Sequence, residues 1–278
     1  MKRLRMLFSL LLFLMVLSVT AAVAAETDAF GDLKGNLDIA GGTAHIPVMK
    51  AAAKNIMEAN PAIRITIAGG GSGVGVQKVG EGLVQIGNTG RALKEGEIRK
   101  YGLVSWPFAI DGVVAVVNPT NPVDALSRQQ LKDIYAGKIN NWKEVGGADA
   151  AISLYIREDG SGTRETFEER ALDKGQAAGK SNVVSSNGAM KTAVAQDGNA
   201  IGYVGIGHLD AAIKGLILDG MIPSQANAKS GVYSITRLLY MNTKGRPEGL
   251  TKAFIDYIYS PAGDAIITQA GYIPTGRQ

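Results

Sequence analysis

The sequence predicts an α/β protein built on a mostly parallel sheet. A unit of strand, glycine-rich turn and helix recurs along the chain, which is the grammar of parallel sheets covered by helices. The composition agrees: 46% hydrophobic residues and 36 glycines in 278 residues suit a sizeable core crossed by tight turns. The valine-rich run from Val113 to Val117, ended by Asn118-Pro119, reads as a strand buried on both faces.

Taken in order, Leu37 to Ala40 predicts a short strand running into Gly41-Gly42-Thr43-Ala44, after which Pro47 opens a helix ended by Asn60-Pro61. Ile63 to Ala68 alternates as a strand, and the cluster from Gly69 to Gly75 leads into a second helix. Val84 to Gly87 predicts another short strand. After the central run, Ser127 caps a helix carrying Leu131, Ile134 and Tyr135 on one face, with Gly137 at its end. Ile152 to Ile156 predicts a strand that delivers the chain into Arg157-Glu158-Asp159-Gly160-Ser161-Gly162-Thr163-Arg164, followed by a helix from Glu165 to Ala171. A strand over Ser234 to Met241 and a helix over Leu250 to Tyr259 complete the reading.

The first 25 residues stand outside this pattern. Lys2, Arg3 and Arg5 precede an apolar run to about Val19 and small residues up to Ala25, the order of a cleaved secretory signal peptide. Its apolar core of roughly 13 residues is shorter than the roughly 20 a spanning helix needs. Removing three basic residues leaves 26 Lys+Arg against 25 Asp+Glu, so the formal charge of +4 falls to +1, and no nucleic-acid partner is indicated. There is no cysteine for a disulfide, a thiolate metal site or a lipid anchor, and the secreted chain is expected to be freely soluble and monomeric.

Three places share one design: Thr43-Ala44, Ser72-Gly73 and Ser161-Gly162-Thr163 each follow a strand and open a helix. Each offers unpaired N–H groups and a hydroxyl at the positive end of a helix dipole, which suits an oxyanion. Arg157, four residues before Ser161, is the natural counter-charge, since its planar fork can bind two oxygens of one ion. Glycine turns after strands also arise for packing alone, so it is the set of three with an arginine that points to anion binding.

With these landmarks the chain resembles the phosphate-binding components of bacterial ABC phosphate transporters, the PstS family of the type II periplasmic binding proteins. The likeness runs over essentially all of the secreted sequence, through Gly70-Gly71-Ser72-Gly73-Val74-Gly75, Ile86-Gly87, Asp111-Gly112-Val113, Ile134 to Ile139 with Asn141-Trp142, Ile201-Gly202-Tyr203-Val204 and, most diagnostic, Arg157 to Thr163. The resemblance implies a two-lobed fold, residues 26–111 with 236–278 forming one lobe and 112–235 the other, joined by crossovers near Ile110 to Val113 and Ser234 to Leu238. It implies a metal-free, cofactor-free phosphate site between the lobes, made by Thr43, Ala44, Ser72, Gly73, Arg157, Ser161, Gly162 and Thr163, with Thr89, Gly90 and Asp111 as further candidates. The implied function is capture of inorganic phosphate in the periplasm and delivery to the inner-membrane permease subunits of an ABC importer.

The chain departs from the family pattern at Gln85, where relatives commonly carry Asp, and at Gly90, where they carry Asp or Ser. Phosphate keeps a proton at neutral pH and sulfate does not, so an acceptor at the site favours phosphate; Asp111 is the candidate replacement, its alternative role being to hold the crossover turn. Arg91 beside Gly90 either adds charge to the cleft or faces solvent. Two other readings stay open: a receptor for sulfate, molybdate or arsenate, and a ligand sensor that signals to a membrane receptor. An enzyme is disfavoured. The chain has two histidines, His45 and His208, no Gly-x-Ser-x-Gly elbow and no Walker motif.

Overall fold

Leu37, Ile39 and Ala40 are buried in the first strand, which sits inside a sheet rather than at its edge because apolar side chains emerge from both of its faces. The computed structural model describes residues 27–177 and 179–277; the proposed signal peptide lies outside the described residues. The strands are β1 (Gly35–Gly41), β2 (Ile63–Gly70), β3 (Ile86–Thr89), β4 (Leu103–Val117), β5 (Ala125–Leu126), β6 (Ser153–Arg157), β7 (Asn182–Val184), β8 (Ala200–Gly205), β9 (Lys214–Gly215), β10 (Ile217–Leu218), β11 (Thr236–Lys244) and β12 (Ile273–Pro274). The longer helices that matter for the site are α1 (Ile46–Ala59), α2 (Gly71–Gly80), α3 (Gly162–Arg170) and α4 (Asn187–Gln196).

The main sheet runs β2-β1-β3-β11-β4-β8-β6-β7. The pairs β1–β2, β1–β3, β6–β8 and β6–β7 are parallel, whereas β11 is antiparallel to both β3 and β4, and β4 is antiparallel to β8. One strand therefore serves both halves of the sheet: β4 pairs with β11 up to Gly112 and with β8 from Val113 onward. The valine-rich run is only the end of this 15-residue strand. Trp106-Pro107 concealed the rest, because a proline cannot donate to a ladder and normally marks an edge or a bulge. Here a register shift opposite Leu239/Tyr240 accommodates it, and the Pro107 carbonyl accepts from the Tyr259 hydroxyl at 2.7 Å.

Several boundaries moved. β3 begins at Ile86 instead of Val84, since its register with β1 starts at Ile39↔Ile86, while Val84 packs with Val76, Val79 and Leu103 in a small separate cluster. The helix expected from Glu165 begins at Gly162, because Ser161 caps it by accepting the Arg164 N–H. The main core is continuous, from Leu37 and Ile39 through Val113 to Val117 to Ile201 and Val204. Within it Phe167 stacks on Tyr203 with centroids 4.1 Å apart, and the Tyr203 hydroxyl accepts the Arg157 N–H at 3.0 Å, fixing the end of β6.

Candidate functional site

Three strand ends deliver three helix N-termini to one small cleft. β1 leads through Gly42 to Thr43 and Ala44 ahead of α1, β2 leads to Gly71 and Ser72 at the start of α2, and β6 leads to Ser161, Gly162 and Thr163 at the start of α3. The first N–H groups of a helix have no partner inside it, so the cleft collects orphan donors and three positive dipole ends. Gly90, His45, Arg157 and Arg237 complete the wall, around about 180 Å³ of empty space.

The hydroxyls are oriented as donors. Thr43 Oγ1 accepts from both the N–H and Nδ2 of Asn187, at 3.2 and 3.0 Å; Ser72 Oγ accepts the Gly90 N–H at 3.0 Å; Ser161 Oγ accepts the Arg164 N–H at 3.3 Å. Thr43 spends both lone pairs on these N–H groups and Ser72 and Ser161 one each, and every hydroxyl hydrogen is free to donate to an acceptor in the cleft. Close packing sets the two glycines beside them. A Cβ on Gly162 would collide with the Ser72 hydroxyl, and one on Gly90 would stand 2.7 Å from Arg237 Nη1.

Arg157 is 1% exposed and donates from Nε and Nη2 to Glu158 at 2.8 and 2.7 Å. Its Nη1 has no hydrogen-bond partner among the described residues, though buried and part of a group lining the cleft. Arg237 reaches the cleft from β11 and pairs through Nε and Nη2 with Asp111 Oδ2 on β4, at 2.9 and 2.7 Å. Burial holds the Asp111 carboxyl above its usual range, only partly offset by Arg237 and the Ile206 N–H. Two charge-assisted bonds tie that carboxyl to the guanidinium. His45 is buried completely, and that desolvation, reinforced by Arg237, pulls its imidazole down to about 3, so it is neutral. No cluster of three or more metal-ligating side chains occurs among the described residues.

A PBP superfamily domain matches residues 23–262. The phosphate-binding protein PstS of Bacillus subtilis is 42% identical over 243 residues, covering 86% of this chain and 81% of that protein. A phosphate ABC transporter substrate-binding protein of Clostridium perfringens, solved with bound phosphate, matches at TM-score 0.81 and 34% identity over 87% of this chain and 100% of the other. An ABC-type phosphate transport receptor of Vibrio cholerae matches at TM-score 0.68 and 32% identity, over 85% and 99%. This chain belongs to the PstS family of phosphate-binding proteins.

Of the residues that the PstS resemblance nominated, Thr43, Ala44, Ser72, Arg157, Ser161, Gly162, Thr163 and Gly90 meet in the one cleft. Three do not line it. Gly73 donates its N–H to the Gly160 carbonyl at 3.0 Å and ties two of the loops together. Thr89 points away, donating to the Arg91 carbonyl and accepting from Asn242 Nδ2. Asp111 lies behind Arg237 with one oxygen on that guanidinium and the other on the Ile206 N–H. Gln85, a departure from the PstS pattern, accepts the Asp38 N–H at 2.8 Å at the sheet surface, away from the cleft. Arg91 is held by Glu97 and Glu165 rather than facing the cleft or open solvent. Gly42, Gly71, His45 and Arg237 line the cleft without having been nominated; Asn187 supports it from behind.

Proposed function

We propose that this chain captures inorganic phosphate in this cleft, outside the cytoplasmic membrane, and hands it to the permease subunits of an ABC importer. One observation carries the reading: a small cleft whose hydroxyls and helix N-termini are set as donors, with a buried arginine nitrogen that has no hydrogen-bond partner among the described residues. Such a shell replaces the hydration of a tetrahedral anion, each charged hydrogen bond contributing about 1.5–3 kcal/mol. The names of the relatives in Bacillus subtilis and Clostridium perfringens support phosphate as the ion and an importer as the destination.

The lobe division belongs to the same reading. Residues 26–111 with 236–278 move against 112–235 about β4 and β11, and closure brings the donors together. Contacts that cross between these segments support it: the Gly73 N–H on the Gly160 carbonyl, Asn187 on Thr43, and Arg91 Nε 2.8 Å from Glu165 Oε2. Residues 1–25 act as the cleaved export signal, and the protein shuttles as a monomer without cofactor or metal.

Calorimetric titration of the secreted form with phosphate, after unfolding and dialysis to strip bound anion, tests this. Micromolar or tighter binding is the expected result. Tighter binding of sulfate than of phosphate would reassign the ligand, and hydrolysis of a chromogenic phosphate ester would reopen an enzymatic role.

A further inference from the structure

Almost every side chain lining the cleft is a donor. Arg157 and Arg237 can only donate, and Thr43, Ser72 and Ser161 have lone pairs engaged by N–H groups. Asp111 and Glu158, the nearby carboxylates, are turned onto the two arginines. A shell of this kind favours a fully ionised oxyanion and offers the hydroxyl hydrogen of a monohydrogen phosphate no strong acceptor beyond the second lone pairs of Ser72 and Ser161. One lining side chain has a nitrogen lone pair to offer. His45 is 0% exposed, packs its ring against Phe108 at 5.5 Å, and has neither ring nitrogen hydrogen-bonded among the described residues.

Resting on the assignment of phosphate to this cleft, we propose that His45 accepts the proton of the bound ion, and so sets the preference for phosphate over sulfate in place of a carboxylate. A neutral imidazole presents one N–H and one lone pair. The groups around the ring fix this state: Arg237 opposes a second positive charge, and the backbones of Tyr240, Gly42 and Thr89 face it, though none meets it with hydrogen-bond geometry. Carbonyl oxygens can accept only from the N–H, so the lone pair of the other nitrogen is not used by them. Arg237 in turn sits against Gly90, so a carboxylate there would displace the guanidinium. The acceptor has moved from that loop to the start of α1.

The test compares the wild type with His45→Phe and His45→Gln, titrated with phosphate and with sulfate at mildly alkaline pH. Removing one hydrogen bond to a charged ion lowers affinity on the order of tenfold or more. His45→Phe is expected to lose that much for phosphate with no loss for sulfate, and His45→Gln, whose carbonyl can accept, to retain part of the selectivity. In the wild type, nitrogen NMR of the two histidines is expected to move the His45 signal with phosphate and not with sulfate, a readout independent of variant folding. An unchanged phosphate-to-sulfate ratio in the variants, or a His45 signal that ignores phosphate, overturns the inference while the ligand stands. Wild-type protein that binds no phosphate overturns the ligand assignment and the inference together.

Discussion

Two buried arginines, each paired with a carboxylate, meet at the cleft, and they differ in what they leave over. Arg157 draws its carboxylate from the next residue, Glu158, whose side chain is 25% exposed, and keeps Nη1 without a hydrogen-bond partner among the described residues. Arg237 draws its carboxylate from across the ladder, where Asp111 is directly opposite and fully buried, its second oxygen fixed by the Ile206 N–H. The same ion pair thus does two jobs. In the loop it orients a donor toward the cleft, and in the strands it neutralises a charge that the fold itself must bury.

Breaking each pair should separate those jobs. Asp111→Ala leaves the Arg237 guanidinium buried and unpaired, and should cost about 3–5 kcal/mol of stability in denaturant unfolding, the largest effect anticipated. Arg157→Met should leave Glu158 to water and barely move the unfolding midpoint, while phosphate affinity falls roughly a hundredfold in calorimetry. Equal losses of stability in both variants would erase the distinction.

The next effect comes from the burial of the two histidines. His45 and His208 are neutral in the fold, lowered to about 3 and about 4, chiefly by burial, against an unfolded value of 6.5. Between those values the unfolded chain binds more protons, so stability is present above pH 6.5 and is lost as the solution is acidified toward the folded values. The loss should approach roughly 1.4 kcal/mol per pH unit for each histidine, and His45→Phe should flatten the acid limb of a stability-against-pH curve. Smallest is Arg91→Ala. Its partners Glu97 and Glu165 are partly exposed, so the change should be at most about 1 kcal/mol and fade with salt, read as a modest, salt-dependent drop in phosphate affinity.

The contrast also explains what could be read from the chain. Thr43, Ser72, Arg157 and Ser161 to Thr163 were legible because each lies in a local strand–turn–helix passage whose chemistry is written within a few consecutive residues. Arg237 was not. It stands in a strand, and its partner is 126 residues away, a pairing that only the register creates. Asn187, which turns the Thr43 hydroxyl into a donor, opens a helix that carried no recognised signal, although Ser186 caps it. Asp111 carried two readings, a ligand contact and a brace for the crossover turn, and its carboxylate is turned onto Arg237 and the Ile206 N–H. Nothing local distinguishes a carboxylate that faces a ligand from one turned onto an arginine.

The unbroken β4 has a further consequence. A strand that leaves one set of partners at Gly112 and takes another at Val113 gives the two halves no boundary at which one could melt alone. The core that surrounds it is likewise continuous from Leu37 to Val204. Heating should therefore take the molecule apart in one cooperative step, so that a lesion in either half is felt as a loss of the whole receptor.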